Sequence, residues 1–370
     1  MNNKDTIAAN DALYIRICRQ LISDIKSGKL LPGSRLPSER QLAESVGISR
    51  GTARLAIQEL AKAGFIEKRD ITGSYISSRV NNRLVKVLFL TTVQKISREF
   101  QHYVNYQHIS EIYRGMLAAC GDGSAQLIYR SCPQYLANAA AAKLARELSA
   151  ANDGIVITSD IPANLRTELV KTGVPVMTFD EPAMPGEIAI CYNRREICRQ
   201  LAEKLVAGGC RTCGFLRQTP AEDRVTGKEK IAALTAGHLQ LLPQWDIVFD
   251  TGQPEVLSRN LPQKPENLPD VFIAFAPLHG MLFLKEAFKR NWRIPQDVSV
   301  VGYGNIPSEI SPLAPLTYIR IPHYEIGKMA VDLIVDHVQR NRELPAEIIL
   351  NASIIHGETA ITGKTDKMVS

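Results

Sequence analysis

Apolar residues recur at helical spacing over residues 11–27, where Leu13, Ile17, Leu21 and Ile25 share one face. Gly28 supplies a stop for that helix. A stiff, turn-rich connection follows, Leu31-Pro32-Gly33-Ser34-Arg35-Leu36-Pro37. Ser38-Glu39-Arg40-Gln41 then reads as a capping box, opening a short helix that buries Leu42, Ala43 and Val46. Gly47 breaks it, and Ser49 caps a third helix running to about Ala63 with Ala53, Ala56, Ile57 and Leu60 as its buried stripe. Past Gly64, residues 65–68 and 74–77 predict two short strands around a tip. Residues 77–83 are polar, and beyond them the period changes. Strand-like apolar runs at 85–90, 126–129, 154–158, 174–179, 188–191, 213–216, 245–249, 271–275 and 298–302 alternate with amphipathic or Ala-rich stretches such as 133–150, 193–207 and 278–290. That alternation predicts parallel sheets covered by helices, in a segment long enough for two lobes.

Helix, short helix, tight turn and helix is a helix-turn-helix arrangement, and the flanking strands make a wing. The outward face of its third helix carries Arg50, Thr52 and Arg54, with Gly51 leaving the backbone bare between the arginines. Arginine offers planar, bidentate donors for guanine edges or phosphates. Arg40, early in the second helix, falls where that helix would cross a DNA backbone. A single such arginine reads as a solvated surface charge; three placed together by a turn beside a wing point to DNA. The charge distribution agrees. Residues 1–86 hold 15 basic and 8 acidic residues, a balance of +7, whereas the rest of the 370-residue chain holds 29 and 30. A basic module on a neutral body suits a polyanionic partner.

The chain has no apolar run long enough to span a bilayer, and Met1-Asn2-Asn3-Lys4-Asp5 opens no signal-peptide core, so a cytoplasmic protein is expected. Seven cysteines, an odd number, are scattered along it. Cys210-Arg211-Thr212-Cys213 has redox or zinc half-site spacing. It follows a helix stop, leads into an apolar strand and has no second ligand pair, so strand packing is expected instead. Phosphate-cradling, dinucleotide and nucleophile-elbow motifs are missing, and the seven histidines are dispersed. Neither enzymatic activity, a cofactor nor a metal is expected.

Residues 11–77 closely resemble a GntR-family winged helix. The residues that carry the likeness are Gly28, Pro32-Gly33, Leu36-Pro37-Ser38-Glu39-Arg40, Leu42-Ala43, Gly47-Ile48-Ser49-Arg50, Thr52, Arg54, Leu60 and Gly64-Phe65-Ile66. The resemblance implies DNA contacts at Arg40, Ser49, Arg50, Thr52 and Arg54. The wing departs from the family's Gln-Gly-x-Gly-Thr, reading Asp70-Ile71-Thr72-Gly73-Ser74. The first wing glycine is missing and Asp70 sets a negative charge near phosphates, which argues against minor-groove contact by this tip and leaves Thr72, Gly73 and Ser74 as backbone contacts.

Residues 85–357 resemble a LacI/GalR-type sensor through Val174-Pro175-Val176 with Asp180, Arg224 with Gly227, Asp297-Val298-Ser299-Val300-Val301-Gly302-Tyr303, Pro315-Leu316-Thr317, and Ile326-Gly327 with Ala330-Val331. The resemblance implies a periplasmic-binding-protein-like fold with a ligand cleft between two lobes. The whole is similar to arabinose-repressor-type chimeras. Expected divisions are a winged helix-turn-helix at 1–77, a linker at 78–84 and a two-lobed α/β effector and dimerisation domain at 85–370. Lobe 1 takes about 85–191 and 322–343; lobe 2 takes about 192–320 and 344–370.

Asp180 and Arg224 match ligand-binding positions, against the plainer roles of a loop cap and a surface charge. Three family anchors are replaced or lost: Ala276-Pro277 stand for an Asn-Asp pair, Gly304 for an acid, and the polar residue near Ile321 is missing. Asn305, His279 and His323 are the candidates to substitute, although a lone histidine is more often structural. The loop 92–107 carries Phe100, His102, Tyr103 and Tyr106; Tyr103 is a candidate for stacking on a sugar face, against the plainer reading of a lid packing on its own lobe. The expected function is a homodimeric repressor binding double-stranded operator DNA under control of a small sugar or sugar-derived effector, with no membrane partner. A degenerate sensor that only dimerises, a solute-binding protein and an enzyme on the α/β part are the alternatives.

Overall fold

The computed structural model describes residues 3–26, 29–69, 73–77, 83–92, 107–179, 183–218, 225–306 and 315–361. The N-terminal head comprises α1 (Asn3–Lys26), α2 (Glu39–Val46), α3 (Arg50–Lys62) and the strands β1 (Ile66–Arg69) and β2 (Gly73–Ile76). The strands pair antiparallel, Ile66 opposite Ile76. Ile17, Leu21 and Ile25 of α1 pack against Leu42 of α2, Ala53, Ile57 and Leu60 of α3, and Phe65. Helix α1 starts eight residues ahead of the predicted 11–27 stripe, because residues 3–10 have no recurring apolar position to announce it.

The chain then builds a first α/β lobe with β3 (Val85–Thr92), α4 (Gln107–Ala119), β4 (Ala125–Cys132), α5 (Asn138–Ala151), β5 (Gly154–Ile157), α6 (Ala163–Lys171), β6 (Val176–Phe179) and β7 (Ile188–Tyr192). It crosses into a second lobe through α7 (Arg194–Ala207), β8 (Thr212–Arg217), α8 (Val225–Ala236), β9 (Gln240–Val248), α9 (Pro254–Asn260), β10 (Val271–Ala274), α10 (Pro277–Lys289), β11 (Ser299–Tyr303) and β12 (Thr317–Arg320). It returns to the first lobe as α11 (His323–Arg340) and β13 (Glu347–Leu350), and ends in the second as β14 (Ser353–Ile355). The two six-stranded sheets run β13-β7-β6-β5-β3-β4 and β14-β12-β11-β10-β8-β9. All neighbours are parallel except β12 and β14. Strands β5, β6 and β10 are buried along their whole length, as continuous apolar runs require when helices cover both faces.

One boundary differs from expectation. Residues 347–350, anticipated in lobe 2, pair with β7 in lobe 1 through Glu347 opposite Ala189 and Leu350 opposite Tyr192. The last crossing therefore lies at 351–352. Asn193 ties the first and last crossings together: its backbone N–H donates to the Leu350 carbonyl at 3.0 Å, and its side-chain Oδ1 accepts from Ala352 N–H at 2.8 Å. Helices α4 and α11 cross on glycines: a Cβ at Gly115 would meet the Tyr324 carbonyl oxygen at 1.9 Å, and one at Gly327 the Ile112 carbonyl oxygen at 1.9 Å. Among the described residues, no helix is long and apolar enough to cross a membrane.

Candidate nucleic-acid interface and ligand cleft

The head's outward face is set by two caps. Ser38 Oγ accepts from Gln41 N–H at 3.3 Å while Gln41 Oε1 accepts from Ser38 N–H at 3.0 Å, which fixes the start of α2. Ser49 Oγ accepts from Thr52 N–H at 3.0 Å, and the two hydroxyls lie 2.8 Å apart, which fixes the start of α3. With Ala53, Ala56, Ile57 and Leu60 held inward, Arg50 and Arg54 stand exposed on the opposite side. Between them, a Cβ on Gly51 would meet only Ser49 Oγ, at 3.6 Å, so packing within the head does not require a glycine there.

Thr52, expected among the DNA contacts, is only 4% exposed. Its hydroxyl and N–H are committed to Ser49, so its place is in the cap rather than on the open face. Arg40 is exposed and ion-paired to Glu44 at 2.9 Å, and Arg54 lies 3.9 Å from Glu39. Exposed pairs of this kind are worth about 0–1 kcal/mol, so phosphates can displace them. Gly73 opens β2; Thr72 lies outside the described residues. Arg35 was not singled out from sequence. It is exposed, it bridges to Tyr75 across the wing, and its guanidinium would lie 3.5 Å from a Cβ on Gly73. The only local signal was one more basic residue in a turn; its place over the wing depends on the fold.

The carboxyl ends of β7, β12 and β13 lead into the crossings, so the carboxyl edges of both parallel sheets face the junction between the lobes, where ligands of such folds bind. On lobe 1, Thr92 Oγ1 donates to Asp160 Oδ2, and Thr158 Oγ1 donates to Thr91 Oγ1 at 3.2 Å. On lobe 2, Arg217 grips Asp246, its Nε 2.5 Å from Oδ1. Tyr192 and Tyr303 join hydroxyls at 2.8 Å, and the Lys230 ammonium lies 4.4 Å from the Tyr303 ring centroid. Burial pushes the Tyr303 phenol well above its ordinary range, so it stays protonated at neutral pH.

Asp180, Arg224 and Tyr103 lie outside the described residues. His279 is fully buried in α10, its Nε2 3.3 Å from the Phe249 carbonyl oxygen and its ring 4.8 Å from the Phe249 ring. Desolvation lowers its pKa. With no exposed surface, it serves the packing of lobe 2 rather than a ligand. Asn305 spends both ends of its amide on the second crossing: Oδ1 accepts from Ile321 N–H at 2.7 Å, and Nδ2 donates to the Ile321 carbonyl at 2.9 Å. His323, 4% exposed, follows that crossing with its Nδ1 3.4 Å from Asn305 Nδ2.

The replaced anchors meet in space. Ala276 has φ 149°, a region L-residues rarely adopt, immediately ahead of Pro277 at the start of α10. Gly304 has φ 115°, and a Cβ there would meet Pro277 Cδ at 3.4 Å. Cys210 and Cys213 are buried, and desolvation pushes their thiols to about 11 and about 12, in keeping with packing into β8 and its approach.

A model of bacterial regulatory proteins of the gntR family matches residues 13–76, and a periplasmic binding protein-like domain model matches residues 202–360. The HTH-type transcriptional repressor PurR of Aliivibrio fischeri is 26% identical over 220 residues, 55% of this chain and 65% of that protein, so the chain spans just under two thirds of that relative. The arabinose metabolism transcriptional repressor of Geobacillus stearothermophilus is 21% identical over 359 residues, 92% of this chain and 96% of that protein. A solved LacI family transcriptional regulator from Enterococcus faecium with bound ribose shares the fold at a TM-score of 0.58 and 18% identity, covering 75% of this chain and all of that one.

Proposed function

Because the chain carries a GntR-family winged helix-turn-helix followed by a periplasmic-binding-protein-like domain of the LacI type, we propose that it is a sequence-specific DNA-binding transcription repressor. In this reading it acts in the cytoplasm as a homodimer whose operator affinity answers to a small sugar-like effector in the inter-lobe cleft. The observation that supports the reading is the pairing, in one chain, of a capped helix presenting Arg50 and Arg54 with two parallel-sheet lobes joined at their strands' carboxyl ends. Two heads on a two-fold axis suit a pseudo-palindromic operator. The named relatives support repression, and the ribose-bound neighbour supports a sugar-sized ligand. Asp180, Arg224 and Tyr103 remain the proposed ligand contacts, with Thr92 and Asp160 added from the cleft edge. The reading involves no catalytic step.

Selection of duplexes from a random library, followed by competition against a scrambled duplex, tests the DNA arm. Retention of nothing above background would overturn it. Thermal-shift screening with arabinose, ribose, glucose and their acids at millimolar concentration tests the sensor arm. A specific observation favours a second reading, a sensor that only dimerises: the Ala276–Pro277–Gly304 corner lacks polar side chains. A screen in which no sugar or sugar acid raises the melting temperature would put that reading first.

A further inference from the structure

Head and sensor touch at a built contact. Arg340, in the last turn of α11, lays its guanidinium over the ring of Phe65 with the carbon 3.6 Å from the ring centroid. Its side chain is only 7% exposed and is ion-paired to Asp336. Arg342 is held by the other oxygen of Asp336 at 3.0 Å and extends a nitrogen to within 3.5 Å of the Lys62 carbonyl oxygen. Lys62 ends the recognition helix, so Arg342 brings positive charge to one of its last carbonyls, where the helix dipole is negative. Phe65 is a core residue of the head, 3% exposed, one step before the wing. A solvated surface arginine is not buried to this degree; a desolvated guanidinium on an aromatic face, steadied by one carboxylate, is an interface. The other end of α11 is the second crossing, which Asn305 clamps through Ile321. Its 18 residues make a rod about 27 Å long between cleft and head.

We infer that α11 is the coupling rod of the molecule: its carboxyl end docks the α3–β1 corner of the head through Arg340 and Arg342, and movement of the second crossing reaches the recognition helix by this route. The inference rests on the proposed regulatory function for its purpose, but not for its geometry. Amide hydrogen exchange on the full chain tests it without any effector. Replacing Arg340→Ala and Arg342→Ala together should speed exchange at residues 60–66 on the order of tenfold, while strands β3 and β10 keep their protection. Asn305→Ala should speed exchange at 60–66 when both arginines are present, and leave it unchanged when they are not. No change at 60–66 in the arginine pair would overturn the docking. An Asn305→Ala effect of equal size in both backgrounds would overturn the rod. Should the alanine pair loosen β3 as well, Arg340→Lys, which keeps the charge but not the planar stack, is read in its place: faster exchange confined to 60–66 supports docking and none overturns it. Binding of a random-sequence duplex is followed in parallel, so that its failure would count against the regulator and leave the exchange result standing.

Discussion

Replacing Arg50 and Arg54 with alanine tests the recognition helix most directly. Both side chains stand on the exposed face of α3 and take no part in the head's core. Arg54 has Glu39 at 3.9 Å, with the two side chains 67% and 34% exposed. An exposed pair at that distance contributes well under about 1 kcal/mol, and alanine is the better helix former, so the head should lose almost no stability. DNA binding is another matter. Each bidentate contact to a base edge is worth about 1–3 kcal/mol, about a 5- to 150-fold change in affinity. The arginines are one turn apart on one face of α3, so on a duplex they would reach neighbouring base pairs and the losses would not simply add. The double variant should still lose at least tenfold (about 1.4 kcal/mol) in the ratio of specific to scrambled affinity. Fluorescence anisotropy with a selected duplex and its scramble reads this ratio, and circular dichroism melting reads the fold. An unchanged ratio in a well-folded double variant would refute the assignment of α3 as the reading helix.

Arg40→Ala should weaken binding to every sequence alike and flatten the log K versus log[salt] slope by about one unit, which a salt titration on two unrelated duplexes measures. Arg166 and Glu187 form a buried bidentate pair in lobe 1, 10% and 0% exposed. Arg166→Met should therefore cost about 3–5 kcal/mol in urea unfolding, with a smaller loss when Glu187→Leu accompanies it. Burial opposes ionisation of Glu286, but hydrogen bonds from Lys289, Arg290 and Ser258 outweigh it and hold the carboxyl near about 2, below its ordinary 4.5. The native state thus takes up this proton later than the unfolded state. The stabilisation is complete above about pH 5 and is lost as pH falls toward 2, so Glu286→Gln should flatten the acid limb of a stability-versus-pH curve.

Local signals carried much of this fold. The Ser38–Gln41 box, the Ser49 cap and the 13-17-21-25 stripe all act within a few residues and appear as read, although Val46, expected on the buried side of α2, is 44% exposed at the helix end. The parallel strands were legible because burial on both faces demands unbroken apolar runs. Strand β13 was assigned to the wrong lobe because a four-residue edge strand with half its residues exposed carries no mark of its partner. His279 did carry a warning: it shares a face with Phe283 and Glu286, both buried, so its i, i+4 position already spoke for packing. Thr52 stands three residues after its cap, the spacing at which a helix's first turn is tied rather than displayed. Asn305 and Arg340 could not be read, since their partners lie 16 residues away in one case and in another module in the other.

Two departures, Pro277 and Gly304, are far apart in sequence and neighbours in space. A proline at 277 starts α10 without an N–H, which removes a donor that a helix N-terminus would otherwise offer. Its ring occupies the space beside residue 304, where a side chain would begin 3.4 Å from Pro277 Cδ on a backbone at φ 115°. A Cβ at that distance is in ordinary contact with the proline, so it is the backbone at φ 115° that favours glycine at 304 and makes an acid there strained. This corner of lobe 2 defines shape and offers little hydrogen bonding. A site built to hydrogen-bond rejects analogues that lack the matching group far more strongly than one that only fits their outline. On the proposed reading, discrimination among hydroxylated ligands would fall to the proposed contacts Asp180, Arg224 and Tyr103 and to the polar pairs at the strand ends, Thr92 with Asp160 and Arg217 with Asp246, while the Ala276–Pro277–Gly304 corner would limit size.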